Sequence, residues 1–454
     1  MTANWSLPAA LGMDERPEIV AVVGGGGKTS LIFALAAALP GRTILTTTTR
    51  IFAAQMRHAP AVLYADDLSR LDKILAEHGR CLVVGQVAGE KALGVDPDLP
   101  ARLLAHADRV LVEADGSRMR PIKAPAEHEP VIPVGTTLLI PVAGIDALAG
   151  PLDSVAHRPE KIREITNYEL RITNEERTIT DDGRLTPAGV AHVLTHPQGG
   201  LKDAPDGARV IPFINKVETE AELTAGRLTA AAILRRARVT RVVLGALRTA
   251  EPMREVWRRV AAVVLAAGES RRMGCNKLLL PWDNTTVLGQ TLDNVRAGAF
   301  DSMIVVTGHE SEKVVRETGK FESIIKVHNL DYAKGMLTSV QAAVRALPDA
   351  SEAVLVILGD QPMVGPVILD QLLAAYAAGP HGLVAPTFRG RRGNPVLIDR
   401  RYFAELLALP PEGAPRLLLE RHAHDLRLVE VTDEAILHDL DRPEDYERWR
   451  PKKN

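Results

Sequence analysis

Residues 261–277 read AAVVLAAGESRRMGCNK. The run 261–265 is continuously apolar, the pattern of a strand buried on both faces of a mostly parallel sheet. Leu265, Ala266, Ala267 and Gly268 then bring a change of chemistry. Ala266, Ala267 and Gly268 are small, so the backbone can approach a ligand and offer N–H groups to phosphates. Arg272 and Lys277 follow and set fixed positive charge beside that turn. A strand, a small-residue turn and basic side chains together predict the opening of a nucleotide-binding βα unit.

The same grammar appears earlier, at 19–30, IVAVVGGGGKTS. Here Gly24, Gly25, Gly26 and Gly27 can wrap a phosphate with backbone N–H groups. Lys28 can reach β/γ oxygens, and Thr29 can ligate Mg²⁺. Val22 stands at the first glycine position of the long P-loop form, so the string is closer to the shortened GGxGKT form. Residues 109–116, RVLVEADG, predict an apolar strand ending in carboxylates. Glu113 is the expected magnesium-side acid, with Asp115 competing for that role. Residues 211–218, IPFINKVE, resemble the NKxD base-recognition motif through Asn215 and Lys216. Glu218 is one methylene longer than the motif's aspartate, which leaves GTP and ATP both open for this half.

From these two openings the strand pattern extends along the whole chain. Strands are expected at 19–23, 43–45, 81–84, 110–113, 138–141, 210–214 and 242–244. A second series is expected at 261–265, 303–306, 324–327, 353–358, 383–385, 396–398 and 427–431. Helical stretches separate them, which predicts α/β architecture in two domains. The polar, charged stretch 248–259, RTAEPMREVWRR, is read as the junction. A P-loop-like α/β domain is then expected over 1–250 and a Rossmann-like domain over 251–454.

The 454 residues are 46% hydrophobic, 25% charged and only 4% aromatic, so the core must be aliphatic. The net charge of −2 gives no global reason to expect nucleic acid or a membrane surface as partner. Two cysteines, Cys81 and Cys275, exclude a disulfide framework and a zinc ribbon as sequence readings. The longest apolar runs, such as 31–39, fall well short of the ~20 residues that a membrane span needs. The opening residues lack a basic n-region followed by a long apolar stretch, so a cytoplasmic protein is expected.

The string at 265–277 resembles the LAAGxSxRMGxxK motif of the MobA/MocA-like nucleotidyl transferases, α/β enzymes of the nucleotide-diphospho-sugar transferase-like kind. Residues 354–362, VLVILGDQP, form an apolar strand ending in Asp360, where a carboxylate is well placed to hold Mg²⁺. In the resembled family this aspartate is a metal ligand. RGNPV at 392–396 resembles the acceptor-side motif, which implies a polar contact from Asn394. LHDLDRPEDY at 437–446 resembles the family's closing segment, which puts Asp441 in the place of a second metal-binding carboxylate and Asp439 beside it. NLDYAKG at 329–335 with Thr338 and Ser339 resembles the segment that contacts base and ribose. His309 and His328 have no partner at metal spacing and are read as loop or strand-end residues. LAAG and GDQP resemble the molybdenum-cofactor cytidylyltransferases, which implies CTP as substrate. The implied reaction joins CMP to the terminal phosphate of molybdopterin–molybdenum and releases pyrophosphate, with Arg272, Lys277, Asp360 and Asp441 as the catalytic set.

TTTTR at 46–50, the string at 113–133 and PLDSVAHRPE at 151–160 resemble the YqeC family, described as selenium-dependent hydroxylase accessory proteins. Lys123, Glu129, His157 and Arg158 lie in those strings. The two resemblances together imply maturation of a molybdenum hydroxylase of the xanthine-dehydrogenase family, whose apoenzyme would be a partner. A sugar- or lipid-precursor nucleotidyl transferase on the same fold stays open as an alternative, as does a non-catalytic cofactor carrier gated by nucleotide.

Overall fold

The computed structural model describes residues 4–169, 177–236, 238–321, 323–411 and 415–451. The chain divides into two compact units, which part between Trp257 and Arg258.

In the first unit Glu18–Gly24 is a central, wholly buried strand. Arg109–Glu113 pairs with it in parallel on one side and Leu138–Gly144 on the other. Beyond Arg109–Glu113 lie Thr43–Thr47, Arg80–Val84 and Val62–Tyr64, all parallel. Beyond Leu138–Gly144 lie Phe213–Asn215 and Arg241–Gly245, also parallel. Side chains alternate between the two faces with the pleat. Val20, Val22, Leu45, Leu82 and Leu111 join one core with Leu31 and Leu35 of helix Lys28–Ala38. Ile19, Ile44, Val83, Val110 and Val112 join the opposite core with Leu71 and Leu75 of helix Leu71–His78. A sheet covered on both faces is what the continuously apolar runs require.

Two expectations need correction. The strand read at 210–214 is split into Arg209–Val210 and Phe213–Asn215. Pro212 sits in the gap, where it has no N–H to give to a ladder. The stretch read as the junction holds the strand Met253–Arg258, which lies beside Arg241–Gly245 at the sheet's edge. Its charge pattern looks like a linker, but Glu255 is buried because Arg227 donates to its carboxylate from both Nε (3.1 Å) and Nη2. A paired charge can occupy a position that an unpaired one cannot.

In the second unit Val260–Ala266 lies between Ser302–Thr307 and Ala353–Leu358, parallel to both. Ile324–His328 extends the parallel set. Val396–Asp399 runs antiparallel to Ala353–Leu358 and to Leu383–Phe388, so this sheet is mixed. Leu426–Glu430 pairs in parallel with Leu383–Phe388. The parallel set brings Ala266, Thr307 and Leu358 to one edge, where ligands bind in open α/β sheets. Among the described residues no helix is long and apolar enough to cross a membrane.

Candidate functional site

At the strand ends of the second unit, three motifs far apart in sequence meet on one ammonium. Lys277 Nζ contacts a carboxylate oxygen of Asp360 and lies 2.8 Å from Asp441 Oδ1. Arg272 Nη2 lies 2.7 Å from the other oxygen of Asp441. Asp360 follows Ala353–Leu358 after one glycine, and the Leu440 amide donates to its backbone carbonyl at 3.3 Å, which ties the closing segment to the strand end. Ser270, at φ 53°, accepts the Lys277 amide through Oγ at 3.3 Å and so folds the basic loop back on itself.

The charges tune one another. Burial works against the Lys277 ammonium, but Asp360 and Asp441 outweigh it and hold its pKa above the ordinary value. Burial likewise opposes the Asp441 carboxylate, and Lys277 with Arg272 still pull it down. Asp439 moves the other way. Partial burial of its carboxyl, with Asp360 and Asp441 nearby, raises it to about 6. Gln361 Nε2 donates to Asp439 Oδ1 at 2.7 Å, while Gln361 Oε1 is buried without a partner. The sequence signal for Gln361 is its place directly after Asp360 in the string at 354–362.

A Cβ at Gly268 would meet no protein atom within 4 Å. Protein packing therefore does not require glycine there, and the turn after Leu265, Ala266 and Ala267 keeps open space. Asn394 lines a cavity of about 260 Å³ with Leu358, Arg392, Val396 and Arg416. Leu358, the last residue of its strand, stands two residues before Asp360, and none of Lys277, Asp360, Asp441 or Arg272 lines this cavity. Ser339 is placed differently from the expectation of a base or ribose contact. It is 4% exposed, and its Oγ accepts the Asn329 amide at 2.9 Å, as Thr338 Oγ1 also does. Asn329 uses both hydroxyls to hold its own segment against helix Met336–Arg345.

In the first unit the glycine loop joins Glu18–Gly24 to helix Lys28–Ala38 as expected, but its amides do not form the expected cradle. The Gly24 N–H donates to the Asp115 carboxylate at 3.1 Å, Gly25 to Val142 O at 2.8 Å and Gly26 to Arg120 O at 2.9 Å. A Cβ on Gly25 would collide with the Arg120 carbonyl, and one on Gly26 with the Gly144 backbone. The glycines thus let neighbouring backbone press onto the loop. The amides open to an anion are those of the helix's first turn, which have no intrahelical partner.

Lys28 is buried rather than on the surface. Its Nζ donates to Gly24 O at 2.6 Å and pairs with Asp115 at 3.3 Å, with Glu113 at 3.9 Å. Thr29 Oγ1 donates to Glu113 Oε2 at 2.8 Å, which brings together the two residues expected on the magnesium side. Burial raises the Glu113 carboxyl, and Lys28 and Thr29 offset only part of that. Asn215 Nδ2 donates to Gly26 O at 2.9 Å, so the NKVE strand braces the glycine loop. Lys216, at φ 64°, instead pairs with Asp146 at 2.6 Å. Glu218 stands exposed at the entry of helix Glu220–Leu234.

The charge chain continues beyond Asp115. Lys123 is buried and bridges Asp115 (3.1 Å) and Glu129 (2.8 Å), and Arg158 reaches Glu129 at 2.8 Å. Burial opposes the Glu129 carboxylate, but Lys123 and Arg158 hold it at about 2. His157 is lowered to about 4, first by burial and then by Arg158 and Lys123. The residues singled out at 123, 129 and 158 therefore form one network with the glycine loop, and His157 feels its field.

Comparison with known proteins assigns both halves. Residues 20–160 match the family described as YqeC protein, and residues 262–426 match the MobA-like NTP transferase domain. The chain is 34% identical over 212 residues to uncharacterized protein YqeC of Escherichia coli K12, covering 45% of this chain and 78% of that one. It is 31% identical over 188 residues to the molybdenum cofactor cytidylyltransferase of the same organism, covering 41% of this chain and 93% of the relative. The crystal structure of Rv0371c from Mycobacterium tuberculosis H37Rv is 30% identical, covers 42% of this chain and 96% of its own, and superposes with a TM-score of 0.37. The chain therefore belongs to the YqeC family through its N-terminal half and to the MobA-like NTP transferases through its C-terminal half, which makes it a nucleotidyltransferase fused to a YqeC domain.

Proposed function

We propose that the C-terminal half transfers CMP from CTP to the terminal phosphate of molybdopterin–molybdenum and releases pyrophosphate. The observation that carries this reading is the Lys277 ammonium held between Asp360 and Asp441, with Arg272 on Asp441, at the open edge of the sheet. The name of the cytidylyltransferase relative and the LAAG and GDQP strings support CTP and the pterin acceptor.

The acceptor phosphate is already a competent nucleophile near neutral pH, so no Ser–His pair is needed. The task is to bring two anions together and to stabilise charge at the α-phosphate and the leaving group. Lys277 and Arg272 bind the β- and γ-phosphates, exchanging a carboxylate partner for a phosphate one. The turn around Gly268 lets the nucleotide backbone lie close. Asn394 and the cavity it lines orient the acceptor. The residues also fit Mg²⁺. Asp360 and Asp441 offer hard oxygen donors, and Lys277 marks the point between them where positive charge is stabilised. Among the described residues no three acidic, His or Cys groups converge into a closed cage, so a two-carboxylate site shared with substrate phosphates suits the donor set. Mg²⁺ held there by Asp360 and Asp441 would supply charge neutralisation at the reacting phosphates.

The N-terminal half, in this reading, binds GTP or ATP. Lys28 would exchange Asp115 for the phosphates, Thr29 and Glu113 would hold Mg²⁺, and Asn215 keeps the loop braced. The two halves serve maturation of a molybdenum hydroxylase of the xanthine-dehydrogenase family in the cytoplasm. The test is pyrophosphate release across the four NTPs with molybdenum cofactor as acceptor. CTP is expected to be the substrate. GTP used at least as well as CTP would move the assignment to a guanylyl transferase. Transfer itself must be followed, because the N-terminal half binds nucleotide on its own account.

A further inference from the structure

Helix Lys28–Ala38 serves the glycine loop only at its first turn. From Thr29 and Ser30 onward it borders a cavity of about 900 Å³ that no step above uses. Residues 57–60 form another wall, and His78 and Arg80 also line it. The cavity lies toward Thr43–Thr47 and Arg80–Val84, whereas Asn215 and Lys216 lie beyond Leu138–Gly144 on the other side of the central strand. It is therefore on the side of the loop away from the base motif. A narrow cleft continues from it past Thr29 to Glu113.

Its chemistry is one-sided. Arg57, His58, His78 and Arg80 line it and no carboxylate does. Arg80 donates to Ala36 O at 3.1 Å, which fixes its guanidinium to the helix without neutralising it. Among the described residues no carboxylate pairs with Arg57, His58 or Arg80, and Glu77 stands 4.0 Å from His78. Two guanidiniums, Arg57 and Arg80, with two imidazoles beside a partly apolar hollow favour an anion. Phe33, Ala34, Ala37 and Pro60 supply flat apolar wall, and the Phe33 ring meets His58 edge-on at 5.7 Å. The volume suits one small molecule and no polymer.

We infer that this cavity is a second small-molecule site, taking a planar heterocycle that carries a phosphate. The occupant we assign is a phosphorylated pterin, and that choice rests on the acceptor proposed for the other half. Arg57, His78 and Arg80 would meet the phosphate, with the ring against Phe33 and Ala34. The open end at Thr29 sets this ligand beside the nucleotide's terminal phosphates, so the YqeC half holds the cofactor where nucleotide state can sense it.

The experiment titrates the full chain with 6-hydroxymethylpterin monophosphate by calorimetry. The wild type is compared with Arg57→Glu/His78→Glu, which makes this wall acidic, and with Ala34→Trp, which fills the hollow. Both variants are expected to bind one equivalent fewer, or that equivalent at least ~10-fold more weakly, and to transfer CMP at the wild-type rate. Equal stoichiometry and affinity in all three proteins overturns the site. Inorganic phosphate, or GTP with Mg²⁺, binding in the pterin's place with the same dependence on Arg57 and His78 overturns the assigned occupant. CMP transfer that fails in the wild type while the charge-dependent equivalent remains would sink the reading of the C-terminal half and leave this site standing.

Discussion

Replacing Asp360 by asparagine separates the chemistry of the C-terminal site from its fold. The substitution keeps volume and removes one of the two charges that hold Lys277. The side chains of Lys277 and Asp360 are only 13% and 15% exposed, so solvent cannot fully replace the lost partner. Lys277 keeps Asp441 at 2.8 Å and the asparagine can still offer its carbonyl oxygen. Folding should therefore lose ~1–3 kcal/mol, the scale of one charged hydrogen bond. Catalysis should lose far more, because Asp360 is also half of the proposed Mg²⁺ site. A fall of ~10³ or more, about 4 kcal/mol of barrier, is the scale of removing one charge-stabilising element. The assay is pyrophosphate release from CTP with molybdenum cofactor present, beside thermal melts of both proteins. A folded Asp360→Asn protein that turns over within about tenfold of wild type would refute the role.

Lys28→Ala should abolish Mg²⁺-dependent nucleotide binding by the N-terminal half while CMP transfer in a purified assay survives. Hydroxylase activation in cells should fall, and unchanged affinity would reduce the glycine loop to a structural turn. Asp439 titrates at about 6, above the ordinary aspartate value, so its contribution to stability is present in acid and lost as pH rises from about 4 through about 6. Asp439→Asn should therefore raise the melting temperature at pH 8 and leave it unchanged near pH 3.5. An unchanged melt at pH 8 would contradict this. His157, lowered to about 4, has the opposite sense: stability is full above about 6.5 and falls as pH drops toward 4. His157→Gln should flatten the loss between pH 7 and 5, and a wild-type slope in the variant would rule the histidine out as its source.

Near neighbours in the chain were readable, and distant partners were not. Apart from 210–214, which Pro212 divides, the strands expected from apolar runs are present, because a run buried on both faces has little other composition open to it. The edge strand Met253–Arg258 was hidden, since its buried Glu255 depends on Arg227, contributed by a separate helix. Lys28 and Thr29 were visible as a motif, and so was the acid at Glu113. The direction of the loop's amides was not, because their acceptors are Asp115, Val142 and Arg120. A glycine run states that backbone comes close without saying whether that backbone belongs to the protein or whether a phosphate takes its place.

That ambiguity has a consequence for how the N-terminal half works. Lys28 is held by Asp115, Asp115 also accepts from Gly24, and the same aspartate pairs with Lys123. Among Lys28, Asp115, Lys123, Glu129, Arg158 and Glu113 there are three cations and three anions, so the resting network is neutral. Drawing Lys28 onto a triphosphate leaves Asp115 and Glu113 beside one fewer cation. Lys123 then carries Asp115 alone while still facing Glu129, and Mg²⁺ between Thr29 and Glu113 would restore the missing charge. In the proposed reading, nucleotide and metal would therefore favour each other's binding, since Mg²⁺ would offset charge that Lys28 leaves behind. The segment bearing Arg120 ties the two parts together, because its carbonyl accepts the Gly26 amide and Lys123, three residues on, pairs with Glu129.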